Sequence, residues 1–308
     1  MSIVKIPKNV LNLEILLFNG QSFRWRSRKT PTSVEYYGVT HDRVWKIERL
    51  DDMTVKYEVL HSFKETNEDK DRAIFNHYFN LDVNVNAILS EWTNDDYFKK
   101  VIDQHPNLLG IRILNQEVFE TIISFICSSN NNVPRISKMV EKFCQLYGEC
   151  FEYDNMKFYS LPSVEKLKNI SSIDEDLRKN SFGYRAKYIA DSILMINKLG
   201  GSKYLEILQT KDTEKAREEL LKLRGIGRKV ADCILLMGLQ HYHVVPCDVH
   251  VKRLVKNNYI PSLDEKKFTT KDIYDVQEFF ENKFGRYAGW VQSILFTVQL
   301  LSLHVKSD

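Results

Sequence analysis

Cysteine is scarce in this sequence of 308 residues, and the cysteines that are present follow no regular spacing. Their number is odd, at Cys127, Cys144, Cys150, Cys233 and Cys247. A small secreted scaffold needs cysteines that can pair. A disulfide framework is therefore excluded, and we expect a protein of a reducing compartment. The histidines and cysteines also lack the spacing of a zinc site.

Long apolar runs and internal repeats are also lacking. No run approaches the roughly 18 residues that span a membrane, and residues 1–8 lack the apolar core of a secretory signal. We therefore expect an intracellular protein. No repeat of fixed period and no low-complexity tract occurs, which argues against a solenoid.

Net charge is small as well. The 44 basic and 41 acidic residues leave a formal charge of +3. Net charge therefore does not predict a nucleic-acid partner, and any basic surface must be local. Hydrophobic residues make up 43% of the chain and aromatic residues 12%, enough for one large core or several domains in close contact.

The first part of the chain has a β-like pattern from about residue 21 to 61. Val55, Tyr57 and Val59 alternate with charged residues, as in a half-buried strand. Breaks rich in aspartate would supply the turns of an antiparallel meander. Further β-like runs lie at 35–39 and 43–47, and the aspartate-rich breaks are at 41–42 and 51–52. The charged stretch 64–72 is predicted to be a solvated connector.

Beyond about residue 105 the apolar residues recur with the 3.6-residue period of helices. The predicted fold class is thus α+β. An N-terminal antiparallel β-sheet domain would span 1–105, and an all-helical core would span 106–308. Helices are predicted near 116–127, 133–147, 184–198, 213–223, 228–240, 249–257, 271–284 and 288–301.

A glycine-rich turn joins two of these helical patterns at about 213–240. Gly225 and Gly227 allow positive φ and close approach of a nucleic-acid backbone, and the helix that follows offers free amides to a phosphate. An ordinary turn between helices is the alternative. Four basic residues crowd this stretch without an intervening carboxylate and predict a local basic surface: Lys222, Arg224, Arg228 and Lys229.

Lys229 lies in the first turn of a helix whose remainder, 230–237, is almost wholly apolar. Desolvation there would lower the pKa of Lys229 toward neutrality, as an amine nucleophile requires. Asp248 follows Pro246 and precedes the next helical pattern, so we expect it to be an N-cap. A capped carboxylate can also face a cation that develops on a sugar; capping alone is the alternative.

Together, the hairpin, Lys229 and Val245-Pro246-Cys247-Asp248 resemble the helix-hairpin-helix glycosylase superfamily, whose lysine-bearing members are lyases as well as glycosylases. Four other strings, spread over nearly the whole chain, are similar to the eukaryotic-type 8-oxoguanine DNA glycosylase family. They are Gly20-Gln21-Ser22-Phe23-Arg24-Trp25, Ser124-Phe125-Ile126-Cys127-Ser128-Ser129-Asn130-Asn131-Asn132, Gly183-Tyr184-Arg185-Ala186-Lys187-Tyr188 and Tyr287-Ala288-Gly289-Trp290.

The resemblance implies a pocket for a base flipped out of the duplex. Cys233 and Phe296 would sandwich the base, and Gln292 would read its Watson–Crick edge. Gly20 would accept, through its carbonyl, the hydrogen that only the oxidised base carries at N7. The spacing agrees, because Lys229 and Cys233, like Gln292 and Phe296, are four residues apart on one helix face. For Gln292 and Phe296, the alternative is a surface amide beside a core aromatic ring. For Gly20, the alternative is a turn before a strand.

The strand opposite the lesion must also be read. The resemblance assigns this to Asn130, Arg135 and Arg185. Arginine suits the acceptors of cytosine and can fill the space left by the extruded base, and Tyr184 has the flat ring expected of an intercalating wedge. For Arg135 a surface salt bridge is the alternative. A preference for cytosine opposite the lesion is the expected consequence.

Contacts to the DNA backbone are implied for Gly225, Gly227, Arg228 and His250. Relatives hold a metal cation in the hairpin, which would use backbone carbonyls. An iron–sulfur cluster is excluded, because superfamily members that carry one need cysteines after the aspartate and none follows Cys247. No external cofactor is required. The carbonyls that would hold the cation belong to Leu221, Leu223 and Ile226.

The predicted function is base excision by a bifunctional enzyme. Lys229 would attack C1′ of the 8-oxoguanine nucleotide, Asp248 would stabilise the cationic sugar, and the Schiff base would undergo β-elimination. The expected partner is duplex DNA with 8-oxoguanine opposite cytosine, bound by a monomer in the nucleus, with a mitochondrial pool left open. Excision of alkylated or other damaged purines and a non-catalytic DNA-binding module are the alternatives.

Overall fold

The computed structural model describes residues 1–264 and 269–304. A five-stranded antiparallel sheet, in the order β1-β5-β4-β3-β2, forms the N-terminal part. The meander predicted for residues 21–61 is confirmed, and positive φ at His41 and Asp42 makes one of its predicted turns. The strands are β1 (Ser2–Lys5), β2 (Trp25–Lys29), β3 (Val34–Thr40), β4 (Arg43–Asp51) and β5 (Thr54–Ser62).

Both faces of this sheet are covered. Trp45 and Tyr57 on one face belong to the main apolar core, while Tyr37 and Val44 on the other pack against Phe158. Phe158 lies in a hairpin of β6 (Cys150–Tyr153) and β7 (Met156–Tyr159) inserted between helices. Sequence analysis did not predict this hairpin, because its strands are only four residues long and give too short a pattern to recognise.

Each helix predicted beyond residue 105 is confirmed, as is the α+β fold class. The helices are α1 (Leu13–Leu16), α2 (Glu68–Tyr78), α3 (Val85–Trp92), α4 (Asp96–Gln104), α5 (Val118–Ser128), α6 (Val133–Tyr147), α7 (Val164–Lys168), α8 (Ile173–Lys179), α9 (Arg185–Leu199), α10 (Ser202–Leu208), α11 (Thr213–Leu221), α12 (Arg228–Met237), α13 (Val249–Asn258), α14 (Thr270–Phe284) and α15 (Ala288–His304). Short 3-10 helices span Pro106–Gly110 and Gly285–Tyr287.

The prediction of a solvated connector over 64–72 is wrong from residue 68 onward. Asn67 caps α2 by accepting a hydrogen bond from the Lys70 amide at 2.9 Å. The acidic residues that suggested a solvated segment occupy the first turn of α2, where they complement the helix dipole. Phe75 and Tyr78 then anchor the helix in the core.

One apolar core runs across the proposed domain boundary. Trp45, Phe98 and Ile123 belong to the same cluster of buried side chains. The division into 1–105 and 106–308 stays a prediction, and residues 265–268 and 305–308 of its second part lie outside the described residues. Over the ranges that are described, no helix is both long enough and apolar enough to cross a membrane.

The C-terminal helix α15 packs very closely against the loop between α12 and α13. A Cβ atom at Gly289 would lie 2.1 Å from the carbonyl oxygen of Val244, so only glycine fits there. The Gly289 amide donates to the carbonyl of Tyr242 at 2.8 Å. This contact fixes one wall of the site described next.

Candidate active site

A small pocket of about 80 Å³ lies between the N-terminal ends of α12 and α13 and the side of α15. It brings together all the residues predicted to be catalytic or to bind the base. These are Gly20, Lys229, Cys233, Asp248, Gln292 and Phe296. They come from four separate places in the chain, and the packing of α12, α13 and α15 against the turn at Gly20 unites them.

Lys229 occupies the first turn of α12, where Gly227 is the N-cap and no side chain caps the helix. Its Nζ lies 5.9 Å from the centre of the Phe125 ring, within range of a cation–π contact. Electrostatic attraction to the Cys233 sulfur, and then to the Asp248 carboxylate, raises the pKa of Lys229 although burial opposes this. The predicted lowering of this pKa is wrong, because the effect of these two neighbours exceeds that of burial.

Cys233 lies one turn after Lys229 on the same face of α12. Burial raises the pKa of Cys233 to about 11, and the nearby Lys229 only partly offsets this. At neutral pH the side chain is therefore a neutral thiol. A neutral, polarizable sulfur suits a surface for a flat aromatic ring.

Asp248 is the N-cap of α13, as predicted. Its Oδ1 accepts hydrogen bonds from the amides of His250 at 2.9 Å and Val251 at 3.0 Å. The two bonds fix the carboxylate while it lines the pocket with Lys229. The arrangement therefore places a fixed negative charge beside an ammonium group, as a reaction through a cationic sugar requires.

The far wall of the pocket comes from α15 and from the turn before β2. Gln292 and Phe296 lie one turn apart on α15, and Gly20 has a φ of +88° that favours glycine. The turn at Gly20 is held by Gln21, whose side chain donates to the Arg112 carbonyl at 2.8 Å and accepts from the Leu114 amide at 3.0 Å. The turn at Gly20 is thus tied to residues 112–114.

Sequence reasoning missed several residues that line the pocket. Met237 continues the face of Lys229 and Cys233 by one more turn, a spacing that could have revealed it. Phe125 lies within one of the strings quoted above. Gln21 and Pro246 also lie within quoted strings. No local pattern pointed to the rest, which are Asn19, Val251, Ser293 and Thr297.

A second group of predicted residues lies outside this pocket, around the turn between α5 and α6. Asn130 is exposed there with a φ of +49°, and Arg135 is exposed in the first turn of α6. Tyr184, 46% exposed, precedes α9 and donates to the Ser129 carbonyl at 3.1 Å. An exposed ring beside an exposed amide and an exposed arginine suits contact with a duplex.

Arg185 differs from its neighbours because it is only 3% exposed. Its guanidinium lies 4.6 Å from the centre of the Tyr184 ring. It donates to the carbonyls of Ser129 and, at 3.1 Å, Asn130. In the free protein, Arg185 therefore holds the Asn130 turn and the Tyr184 ring in position.

The hairpin glycines have different surroundings. Gly225 has a φ of +83°, and a Cβ there would lie 2.5 Å from the Tyr188 ring. Gly227 has open space around it, so a phosphate can approach the first amides of α12. Gly225 thus serves packing, while Gly227 leaves the helix end accessible.

The predicted basic surface at the hairpin is weaker than the sequence suggests. Lys222 pairs with Glu219 at 2.8 Å, and Arg224 pairs with Asp191 at 2.7 Å. Arg228 stacks 4.3 Å from the centre of the Tyr274 ring. Glu219 lies on the first helix of the hairpin, three residues before Lys222, whereas Asp191 comes from α9 and is not revealed by the hairpin sequence. His250, by contrast, is exposed in the first turn of α13, its ring 6.5 Å from that of Phe296.

Metal binding at the hairpin would depend on backbone atoms. The carbonyl of Leu223 accepts a hydrogen bond from the Ile226 amide at 3.2 Å, and its second lone pair stays available. Among the described residues, no group of three or more His, Cys, Asp or Glu side chains could hold a metal ion.

Comparison with known proteins agrees with this geometry. The family model described as 8-oxoguanine DNA glycosylase, N-terminal domain, matches residues 3–122, and that of the HhH-GPD superfamily base excision DNA repair proteins matches residues 123–276. N-glycosylase/DNA lyase OGG1 of Arabidopsis thaliana is 33% identical over 300 residues, covering 96% of this chain and 80% of the relative. The chain belongs to the OGG1-type family of N-glycosylase/DNA lyases.

Other members of the family are similarly close. The N-glycosylase/DNA lyase of Saccharomyces cerevisiae is 34% identical over 331 residues, covering 96% of this chain and 85% of the relative. The crystal structure of the Clostridium acetobutylicum 8-oxoguanine glycosylase/lyase, in complex with double-stranded DNA containing cytosine opposite 8-oxoguanine, is 27% identical. It has a TM-score of 0.82 and covers 98% of this chain and 99% of that one.

Family membership makes this protein a DNA glycosylase with lyase activity that acts in base excision repair and binds DNA. The alternative of a non-catalytic DNA-binding module is thereby excluded.

Proposed function

We propose that this enzyme removes 8-oxoguanine paired with cytosine and that Lys229 is its nucleophile. The observation that carries the proposal is the pocket in which Lys229 and Asp248 lie together with Gly20, Gln292 and Phe296. A reacting amine, a carboxylate and surfaces for a flat base are the components that excision of a flipped nucleotide needs. The Clostridium relative crystallised with cytosine opposite 8-oxoguanine supports the choice of lesion and partner base.

Base recognition in this proposal divides among four residues. Cys233 and Phe296 enclose the flipped base, and the Gln292 amide pairs with its Watson–Crick edge. The Gly20 carbonyl accepts the N7 hydrogen of 8-oxoguanine. With normal guanine that carbonyl would face a lone pair, at a cost of roughly 1–3 kcal/mol.

The chemistry begins with a proton transfer. Because the raised pKa keeps Lys229 an ammonium at neutral pH, it must first lose a proton, and the Asp248 carboxylate in the same pocket can accept it. The amine then attacks C1′ as the bond from C1′ to the base breaks, and the base leaves with the electron pair. Asp248 passes this proton to the departing base and, charged again, stabilises the cationic sugar. The C1′–O4′ bond then opens to give the Schiff base between Lys229 and C1′, and loss of a C2′ proton expels the 3′ phosphate by β-elimination.

Contacts with the rest of the duplex follow from exposure. Asn130, Arg135 and Tyr184 face the opposite strand, supported by Arg185. The amides beyond Gly227, with Arg228 and His250, approach phosphates. A cation held by the carbonyls of Leu221, Leu223 and Ile226 would add positive charge near the backbone. We propose that the enzyme acts as a monomer in the nucleus. The excision and lyase steps described above require no external cofactor.

Borohydride trapping tests the nucleophile, the lesion and the opposite base together. The wild-type enzyme should form a covalent complex with 8-oxoguanine paired with cytosine, and much less with 8-oxoguanine paired with adenine. Lys229→Gln should abolish the complex, whereas Lys222→Gln, an exposed lysine outside the pocket, should retain it. A complex that survives Lys229→Gln would refute the assignment, and stronger reaction with a methylated-purine duplex would favour an alkylated-base substrate.

A further inference from the structure

A buried carboxylate lies on α12, three residues after Lys229, outside the pocket. Asp232 has no exposed surface. Its Oδ1 accepts from Arg217 Nε of α11 at 2.8 Å, and its Oδ2 accepts from Gln277 Nε2 of α14 at 2.8 Å. A buried charge is costly unless partners like these satisfy it. Asp232 therefore requires both partners to stay in place.

Gln277 makes a second contact, with the loop that carries Asp248. Its Nε2 also donates to the carbonyl of Val245 at 2.8 Å, and Val245 lies three residues before Asp248. Its Oε1 accepts from Arg228 Nη2 at 2.9 Å. One amide thus uses its nitrogen on two acceptors and its oxygen on one donor, and joins the lysine-bearing helix to the aspartate-bearing loop.

The orientation of this amide is determined by its surroundings. Rotating it by 180° would place Oε1 against the Asp232 carboxylate and the Val245 carbonyl, leaving three groups without complementary partners. Arg228 is itself held by its stacking on Tyr274. The loop is therefore anchored at Val245 by Gln277, at Tyr242 by the Gly289 amide, and at Asp248 by the helix cap.

We propose that Gln277 is a positioning residue that sets where Asp248 stands relative to Lys229. This inference depends on the roles proposed above for that pair. Without Gln277, the loop loses its contact with α12 at the point nearest the aspartate. Because a misplacement of about 1 Å in a reacting group can cost roughly 100-fold in rate, the chemical step is where the loss should be seen.

The acid–base behaviour of Lys229 supplies a readout specific to this role. The titratable groups that act on Lys229 are Cys233 on its own helix and Asp248 from the loop, and the Phe125 ring faces it from α5. Since Asp248 helps to raise the pKa of Lys229, retreat of the loop would lower that pKa. The rise of the excision rate with pH would then begin at lower pH.

The test compares Gln277→Met with wild-type enzyme on an 8-oxoguanine:cytosine duplex. Methionine keeps the length of glutamine and removes all three hydrogen bonds. With saturating enzyme in single-turnover reactions, we expect the maximal excision rate to fall about 10- to 100-fold. DNA affinity should stay within about twofold, and the pH–rate profile should move to lower pH. Glu278→Met, an exposed neighbour on the same helix, should match wild type.

A second variant guards against simple unfolding. Gln277→Asn keeps an amide but is too short to span Asp232 and Val245 together, so it should show the same loss and the same shift. If both variants keep the wild-type rate and profile, or lose rate only in proportion to stability and DNA affinity with no shift in profile, the inference is wrong. A wild-type enzyme that forms no trapped complex overturns the proposed function and this inference together.

Discussion

Asp248 combines two roles that substitution can separate. Its Oδ1 caps α13, while its charge faces Lys229 in the pocket. Serine is about as good an N-cap as aspartate, whereas alanine cannot cap at all. Asp248→Ser therefore removes the charge and keeps the cap, and Asp248→Ala removes both.

The expected stability change follows from the two amide bonds to Oδ1. Losing an N-cap costs about 1 kcal/mol, which lowers the melting temperature by roughly 2 °C in a chain of this size. We expect this loss in Asp248→Ala and only a few tenths of a kcal/mol in Asp248→Ser. Asp212→Ala, which removes the N-cap of α11 outside the pocket, should cost a similar amount of stability.

The expected kinetic change is large and equal in both Asp248 variants. Removing one fixed electrostatic contact to a transition state typically costs about 100- to 1,000-fold in rate. The matched Asp212→Ala variant should excise at nearly the wild-type rate. Thermal melting and single-turnover excision of 8-oxoguanine measure the two effects separately.

Two results would contradict this reasoning. If Asp248→Ser excised within about threefold of wild type, the charge would have no part in the chemistry. If the serine and alanine variants were equally destabilised, the hydrogen bonds from His250 and Val251 would not be the source of the stability that Asp248 provides.

Three other predictions follow from buried charge, backbone conformation and proton linkage. Arg217→Met removes the nearer of two cations from the buried Asp232 carboxylate, because Arg228 lies farther away at 3.9 Å. It should lower the free energy of unfolding in urea by about 3–5 kcal/mol; an unchanged midpoint would contradict this. In Gly225→Ala, the alanine must adopt a φ of +83° against the Tyr188 ring, which costs about 1–2 kcal/mol of stability from the backbone alone. The variant should bind DNA more weakly in a titration, and an unaltered affinity would disprove this prediction. Burial raises the pKa of Glu117 to about 7 from 4.5, so the folded state binds the proton more tightly than the unfolded state does. The free energy of unfolding should therefore decline by roughly 1–3 kcal/mol between pH 4.5 and 7. Denaturation of Glu117→Gln over this pH range should lack that decline.

Local sequence determined much of the helical core. The 3.6-residue period sets the faces of α12 and α15, so pairs four residues apart had to share a wall. The N-cap at Asp248 depends on one side chain and the next three amides, and the open hairpin end depends on Gly227. Family resemblance then gave those positions chemical roles that spacing alone left open.

Tertiary packing decided the features that depend on residues far apart in the chain. The hairpin at 150–159 covers the sheet, and Asp191 neutralises Arg224. Neither follows from a local pattern, because each partner is specified in a different segment. The charged stretch before Phe75 shows the same limit of local sequence. Its acidic residues stabilise the first turn of α2, and that helix is held in place by apolar residues later in the chain, Phe75 and Tyr78, which are buried in the core.

The pKa of Lys229 likewise depends on both local sequence and tertiary packing. The sequence placed this lysine in the first turn of an apolar helix, from which burial alone would lower its pKa. The pKa is raised instead, first by Cys233 on the same helix and then by Asp248, nineteen positions away, which the loop brings beside it. Gln277 holds that loop from another helix, so the charge on the nucleophile is a property of the folded assembly that no single segment encodes.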